Sequence, residues 1–192
     1  MTPSPAPFTT SEIATLLSAG MEAIRGEYSR LPRRVLTFRP APGEWCILEV
    51  LGHLIEAERW RFAGRIRLIV AQDGRALDRW DPEQVARDRR DWEHDPSVLL
   101  GEFVRLREVT LQLVERLREA DLAKRGEHPT VGTLTVNDIL HEWVHHDRTH
   151  IAQMMANVQA CAWPHMGHAQ RFSAGEQDGA GPVCYTGRVG PA

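Results

Sequence analysis

Nine histidines occur among 192 residues, and their chemistry depends on which of them share a buried face. Val136, Ile139 and Trp143 mark an apolar seam at helical spacing. Seven residues beyond Ile139 and Trp143 stand His146 and His150, where that pattern asks for apolar side chains. The two are four residues apart, so one helix presents both imidazoles on neighbouring turns of one face. Met154 and Met155 continue the stripe. His53 lies alone inside a second apolar pattern, on a face shared with Val50, Ala57 and Trp60. Three neutral imidazoles form a ligand set for one divalent ion. They leave its charge uncompensated and leave positions open for water or substrate. An ion held this way brings the proton loss of a bound water or thiol towards neutral pH. Zinc and nickel both suit imidazole, and the spacing does not choose between them. Spacing alone also leaves a second reading open, in which all three are hydrogen-bonded core histidines.

Ligand histidines need a partner for the second ring nitrogen. Glu49 (four before His53), Glu142 (four before His146) and Gln153 (three after His150) have the spacing for that role, and each also reads as a solvated surface residue. Asp147 or Glu58 could instead close the fourth coordination position, although both read more simply as solvated or structural. His145 is a rival ligand because it adjoins His146. The run His141-Glu142-Trp143-Val144-His145 has the letters of the H-E-x-x-H zinc-protease motif. Its histidines lie off the apolar seam, however, and a helical bundle lacks the cleft beside a sheet edge that a protease uses. No P-loop or GxGxxG is present.

Four long helical patterns position these residues. The first spans about 10–30, with Thr9, Thr10 or Ser11 as cap and Glu12 in the first turn. A Pro- and Arg-rich loop, 31–45, separates it from a second pattern over about 46–73 that stops at Gly74. A long polar crossover, 74–95, contains Asp81-Pro82-Glu83, the form of a short helix start. The third pattern begins at Asp95-Pro96 and runs to about Ala120, with Leu99, Phe103, Leu106, Leu113 and Leu117 at near-heptad spacing. Thr135-Val-Asn-Asp138 has the form of a capping box for the fourth, which runs to about Ala162. The expected fold is all-α, a four-helix bundle over residues 1–163 with long crossover connections. An irregular tail, 164–192, is expected to follow, rich in Gly and polar residues.

Hydrophobic residues make up 42% and charged residues 26%, ordinary for a globular domain. Net charge is −3 with a pI near 6.3, which argues against non-specific nucleic-acid binding; Arg33 and Arg34 read as a solvated loop. Cys46, Cys161 and Cys184 form no CxxC pair, so a reducing, cytoplasmic setting is expected. The N-terminus lacks the form of a secretory signal, and no apolar run reaches the ~20 residues of a membrane helix.

Two runs carry a family resemblance. Pro42-Gly-Glu-Trp45-Cys-Ile-Leu-Glu-Val-Leu-Gly-His53-Leu resembles the second-helix entry of DinB/YfiT-like proteins, where a tryptophan precedes the helix and a metal-binding histidine follows about two turns later. His145-His146-Asp-Arg-Thr-His150-Ile-Ala-Gln153 resembles that family's last helix, with two ligand histidines four apart and a following glutamine. The resemblance covers roughly residues 10–160. It implies a four-helix bundle with His53, His146 and His150 as metal ligands, and often a homodimer. Some relatives resemble S-transferases that use a low-molecular-weight thiol, bacillithiol or mycothiol; others are damage-inducible proteins without a settled activity. Cys46 departs from the capping Ser or Thr common at that helix start. Three functions follow as expectations: a metal-dependent S-transferase using a small thiol, a metal-dependent hydrolase on the same site, or a non-enzymatic stress protein whose metal ties helices together.

Overall fold

The computed structural model describes residues 5–173. Helix α1 (Thr10–Tyr28) opens on a reciprocal capping box: the Glu12 amide donates to the Thr9 hydroxyl, and the Thr9 amide donates to the Glu12 carboxylate at 2.8 Å. It buries Ile13, Leu17, Met21, Ile24 and Tyr28 along one stripe. One helical turn, α2 (Arg33–Leu36), sits in the stretch expected to be wholly irregular. Pro40, Pro42 and Gly43, which disfavour a regular element in that loop, all lie beyond its end.

The second rod is continuous but not uniform. Helix α3 (Ile47–Glu56) passes through a π-helical turn, Ala57–Phe62, into α4 (Ala63–Ala71). It ends before the expected Gly74. That glycine, at φ +75°, instead turns the chain into β1 (Arg75–Ala76). Helix α5 (Pro82–Arg89) starts where expected, with the Asp81 carboxylate accepting from the Glu83 and Gln84 amides. Helix α6 (Pro96–Glu115) is capped by Asp95 and stops short of Ala120; α7 (Glu119–Leu122) is a separate turn. Strands β2 (Arg125–His128) and β3 (Gly132–Thr135) then form a hairpin, and β1 joins β2 in parallel, giving the order β1-β2-β3. Strands this short show no alternation in sequence, which is why four helical patterns were the visible signal. Helix α8 (Val136–Ala162) begins on the Thr135/Asp138 box. Single helical turns follow, ending in α9 (Gln170–Ser173). The rest of the expected tail lies outside the described residues.

The four long rods, α1, α3–α4, α6 and α8, make the bundle. Helix α1 packs on α6 and α8, and α3 packs on the same two. The core divides into one cluster containing Phe62, Ile66, Ile139 and Trp143 and another containing Ile24, Leu51, Phe103 and Met154. Arg107, with no exposed surface, lies between them, its guanidinium 5.1 Å from the Phe103 ring centre and 5.6 Å from that of Trp143. No described helix is long and apolar enough to cross a membrane.

Candidate metal centre

The two helices named by the spacing bring His53, His146 and His150 together in the bundle, at 3%, 5% and 1% exposure. One potential donor atom from each lies within 4.8 Å of the others. The Nε2 atoms of His53 and His146 are 3.0 Å apart. Two nitrogens bound to one ion at ~2.0–2.1 Å would be separated by roughly this distance or slightly more. The Gln153 side-chain oxygen accepts a hydrogen bond from His150 Nδ1 at 2.8 Å. That bond puts the His150 proton on Nδ1 and leaves Nε2 with a lone pair.

That Nε2 is buried and has no hydrogen-bond partner among the described residues, and the same holds for Nδ1 of His53 and of His146. Hydrogen-bonded core histidines would leave few such orphans, each costing ~1–3 kcal/mol. The facing Nε2 atoms of His53 and His146, which among the described residues meet only each other, and the unpaired Nε2 of His150 fit a divalent ion; the unpaired Nδ1 atoms of His53 and His146 are then their second ring nitrogens. Protonation states fit as well. Burial pushes all three histidines below their ordinary range, most strongly His53 and His146. The neighbouring imidazoles and Arg61 push His53 and His146 down further. On His150 the Gln153 bond and Asp147 work upward without reversing the shift. Neutral imidazoles at pH 7 keep their lone pairs for a metal.

Of the expected second-nitrogen partners, Gln153 takes its place. Glu49 does not reach His53: its carboxylate accepts from the Cys46 amide at 2.8 Å and from Arg39 at 2.7 Å, capping α3. Glu142 is held by Arg61 at 2.5 Å. Asp147 and Glu58 do not close the cluster, because both are engaged by Arg107. The H-E-x-x-H reading falls on the same geometry. His141 spends both ring nitrogens, one on the Asn137 carbonyl and one accepting from the Phe8 amide, while His145 is exposed.

The surroundings of the cluster include residues that periodicity did not single out. Trp45 and Trp80 lie against His53, with ring centres at 5.1 and 5.3 Å. Asn157, on the buried face of α8, donates to the Trp45 carbonyl at 2.9 Å and so ties the α3 entry to the helix bearing two of the histidines. Trp80 is delivered by the crossover, which β1 and the Leu77 amide pin to β2. Phe62 stacks on Trp143 and sets its edge against His146 at 5.0 Å. The π turn shifts the faces of the second helix beyond His53 away from those a regular 3.6-residue period predicts. Its wider winding inserts a residue into the face, so Glu58, Arg61 and Phe62 turn inward while Trp60 is 62% exposed. Gly64 accommodates that winding, since a Cβ there would lie 2.5 Å from the Arg59 carbonyl. Met155 also departs from the expected stripe and is exposed, whereas Met154 is buried.

A family model for the DinB superfamily matches residues 17–154, from within α1 to near the end of α8. The chain belongs to the DinB superfamily. Among solved structures, this DinB-superfamily chain is similar to YfiT from Bacillus subtilis, described as a probable metal-dependent hydrolase with an unusual four-helix bundle topology. The TM-score is 0.75 at 18% identity, over 85% of this chain and 94% of that one. It is also similar to TT2238, a four-helix bundle protein, with a TM-score of 0.55 at 20% identity over 77% and 99% of the two chains. At these identities the likeness is one of fold. No curated protein sequence matches the chain.

Proposed function

We propose that His53, His146 and His150 hold one divalent metal ion, zinc or nickel, and that the protein is a metal-dependent S-transferase acting with a low-molecular-weight thiol. The observation that carries the metal reading is the convergence of three buried, neutral imidazoles with one donor nitrogen of each within 4.8 Å of the others, those of His53 and His146 facing each other at 3.0 Å. Such an ion supplies Lewis acidity, lowering the proton affinity of a thiol or water that occupies an open position.

The chain's own residues shape that chemistry. Gln153 holds His150 in one tautomer, Phe62 and the two tryptophans exclude water from the imidazoles, and the carboxylates nearest in sequence are already spent. Glu58 and Asp147 are locked to Arg107, and Glu142 to Arg61. Among the described residues, the carboxylates nearest the histidines in sequence are therefore not free to act as general base. This favours a thiol, whose proton is already nearly labile at neutral pH, over water. Hydrolysis on the same centre is the second reading, favoured by the likeness to YfiT and its description as a probable metal-dependent hydrolase.

The test begins with elemental analysis of protein purified without a polyhistidine tag, beside His53→Ala and His150→Ala. About one ion per chain, lost in both variants, is expected. The loaded protein is then given an aryl halide electrophile with and without a small thiol, and a p-nitrophenyl ester without thiol. Thiol-dependent turnover that disappears with the metal supports S-transfer. Ester turnover without thiol supports hydrolysis. Wild-type protein that takes up no ion on addition returns the three histidines to the core.

A further inference from the structure

Two unambiguous hydrogen-bond donors are buried beside the histidine cluster with no acceptor among the described residues. Arg61 is 9% exposed, and its Nη2 donates to Glu142 at 2.5 Å while its Nε–H has no partner among the described residues. The Trp80 indole N–H is likewise buried and unpaired. Each sits on a ring system that touches the cluster. Trp80 stacks on His53 at 5.3 Å, and the Arg61 guanidinium lies 5.7 Å from the centre of Phe62, whose edge meets His146.

Charge points the same way. A guanidinium does not shed its proton, so Arg61 keeps its charge in this half-dry setting. Arg65 lies close enough for the two cations to repel, and Glu142 is the carboxylate that faces both. The balance is positive before any metal ion enters. A dication on the adjoining histidines makes it more so. An anionic group with two acceptor oxygens would satisfy both orphan donors and offset the surplus charge.

We propose that the side of the cluster bordered by Arg61 and Trp80 is a binding site for a small carboxylate, the anionic end of the substrate or thiol cosubstrate. The catalytic meaning of this site rests on the metal-centre reading; its existence rests on the two orphan donors. One unpaired N–H donor on each flank suits a group with two acceptor oxygens, which a carboxylate is. A phosphate, with a third acceptor oxygen and greater charge, would leave part of itself unmet. The near-complete burial of the histidines admits only a small group.

The experiment titrates acetate, at ionic strength held constant with chloride, into full-length protein in metal-free and zinc-loaded forms. Indole N–H resonances are followed by NMR, and metal content is measured on the same samples. Trp80→Phe identifies the Trp80 resonance. Saturable movement of that resonance is expected, with affinity at least ten-fold weaker in Arg61→Met and about three-fold weaker, read from another shifting resonance, in Trp80→Phe. Should Arg61→Met fail to fold by circular dichroism, Arg61→Lys keeps the charge but removes the Nε–H donor and is expected to weaken binding at least five-fold. A linear, non-saturating response in wild type overturns the site, as does unchanged affinity in the arginine variants. Phosphate moving the same resonance ten-fold more tightly than acetate overturns the carboxylate assignment. Arg61-dependent acetate binding without zinc uptake would sustain the site and sink the metal reading. Zinc uptake without acetate binding would do the reverse.

Discussion

Replacing Arg107 by methionine should be among the most damaging single changes available in this bundle, and its cost should depend on pH in a defined direction. Arg107 has no exposed surface. Its Nε and Nη2 donate to Glu58 at 2.8–3.1 Å, its Nη1 donates to Asp147 at 2.6 Å, and Nη1 also reaches the Leu17 carbonyl at 2.9 Å. Thr110 adds a hydroxyl donor to Glu58. One side chain thus joins α1, the π turn, α6 and α8. Methionine keeps most of the stem volume and removes every donor. Two carboxylates, 1% and 2% exposed, would be left facing each other without a counter-charge. Breaking a buried pair in this way costs about 3–5 kcal/mol, against a whole-domain stability of about 5–15 kcal/mol.

The variant can relieve that cost only by protonating the acids. Burial already pushes Glu58 above the usual carboxylate range, with Arg107 the main opposing influence. Without Arg107 the folded pKa of Glu58 rises further above its unfolded value near 4. The folded state then binds more protons than the unfolded one. Stability of the variant is therefore best preserved below about pH 4 and is lost as pH rises through the folded pKa of Glu58, by up to ~1.4 kcal/mol per pH unit. Urea unfolding followed by far-ultraviolet circular dichroism at pH 5 and pH 8 reads both effects. It should be done on metal-stripped protein so that ligand binding does not add stability. A partner variant carrying Arg107→Met, Glu58→Leu and Asp147→Leu together removes the charges as a set and should return to within about 1 kcal/mol of wild type or exceed it. Thr110 keeps the Arg107 carbonyl as an acceptor in all these variants. A loss under about 1 kcal/mol at pH 8, or an equal loss at both pH values, would refute the reasoning.

The buried histidines give the wild-type, metal-free protein the opposite dependence. Their folded pKa values lie below the unfolded value near 6.5, so the unfolded state binds the extra protons and stability present above pH 6.5 is lost as pH falls; with His53 and His146 held neutral, urea unfolding between pH 6 and 5 should show a loss of about 2–3 kcal/mol per pH unit, and a flat profile would contradict it. Gln153→Ala frees His150 Nδ1 and should weaken metal binding about 10–100-fold while leaving the fold intact, as competition with a chromophoric chelator would show. Gly52→Ala should destabilise by about 2–4 kcal/mol in thermal or urea unfolding, because the new Cβ would lie 1.7 Å from an Asp91 oxygen that Arg89 holds in place; a stability change within 0.5 kcal/mol would show that the Asp91 loop yields freely.

The bundle and the pairing of His146 with His150 on one buried face were legible because both rest on periodicity, whereas His53 joined them through the DinB/YfiT-like resemblance. On α8, Ile139, Trp143, His146 and His150 recur at intervals of four, three and four, so a polar residue on the stripe stands out as an anomaly that needs a reason. The same anomaly is present on α6. Leu99, Phe103, Arg107, Thr110 and Val114 are its buried residues, also at intervals of three and four. An arginine on such a stripe is easily discounted, since its long stem ordinarily carries the charge out to solvent. The leucines Leu106, Leu113 and Leu117 attract the eye instead, yet they are only partly buried. Arg107 cannot reach water because acids from two other helices meet it inside the bundle. The partner that reverses the usual expectation is thus remote in sequence: 49 residues from Glu58 and 40 from Asp147.

The π turn removes the other half of the signal. Glu58 follows His53 by five residues, an interval that a 3.6-residue period assigns to a different face, and Arg61 stands where Trp60 was expected to point inward. Every residue from the second helix that supplies charge near the cluster lies at or after that turn. The helix that bears His53 therefore does two jobs with two windings. Regular α-helix over Ile47–Glu56 sets the imidazole by ordinary spacing, and one wider turn brings an acid to Arg107 and a cation to the flank of the cluster. With regular winding through Ala57–Phe62, the face would present Trp60 in place of the buried Glu58 and Arg61, leaving Arg107 short of one counter-charge and the cluster without its neighbouring cation. The departure from regular helix is thus what allows one sequence segment to furnish both an apolar seam and a charged one.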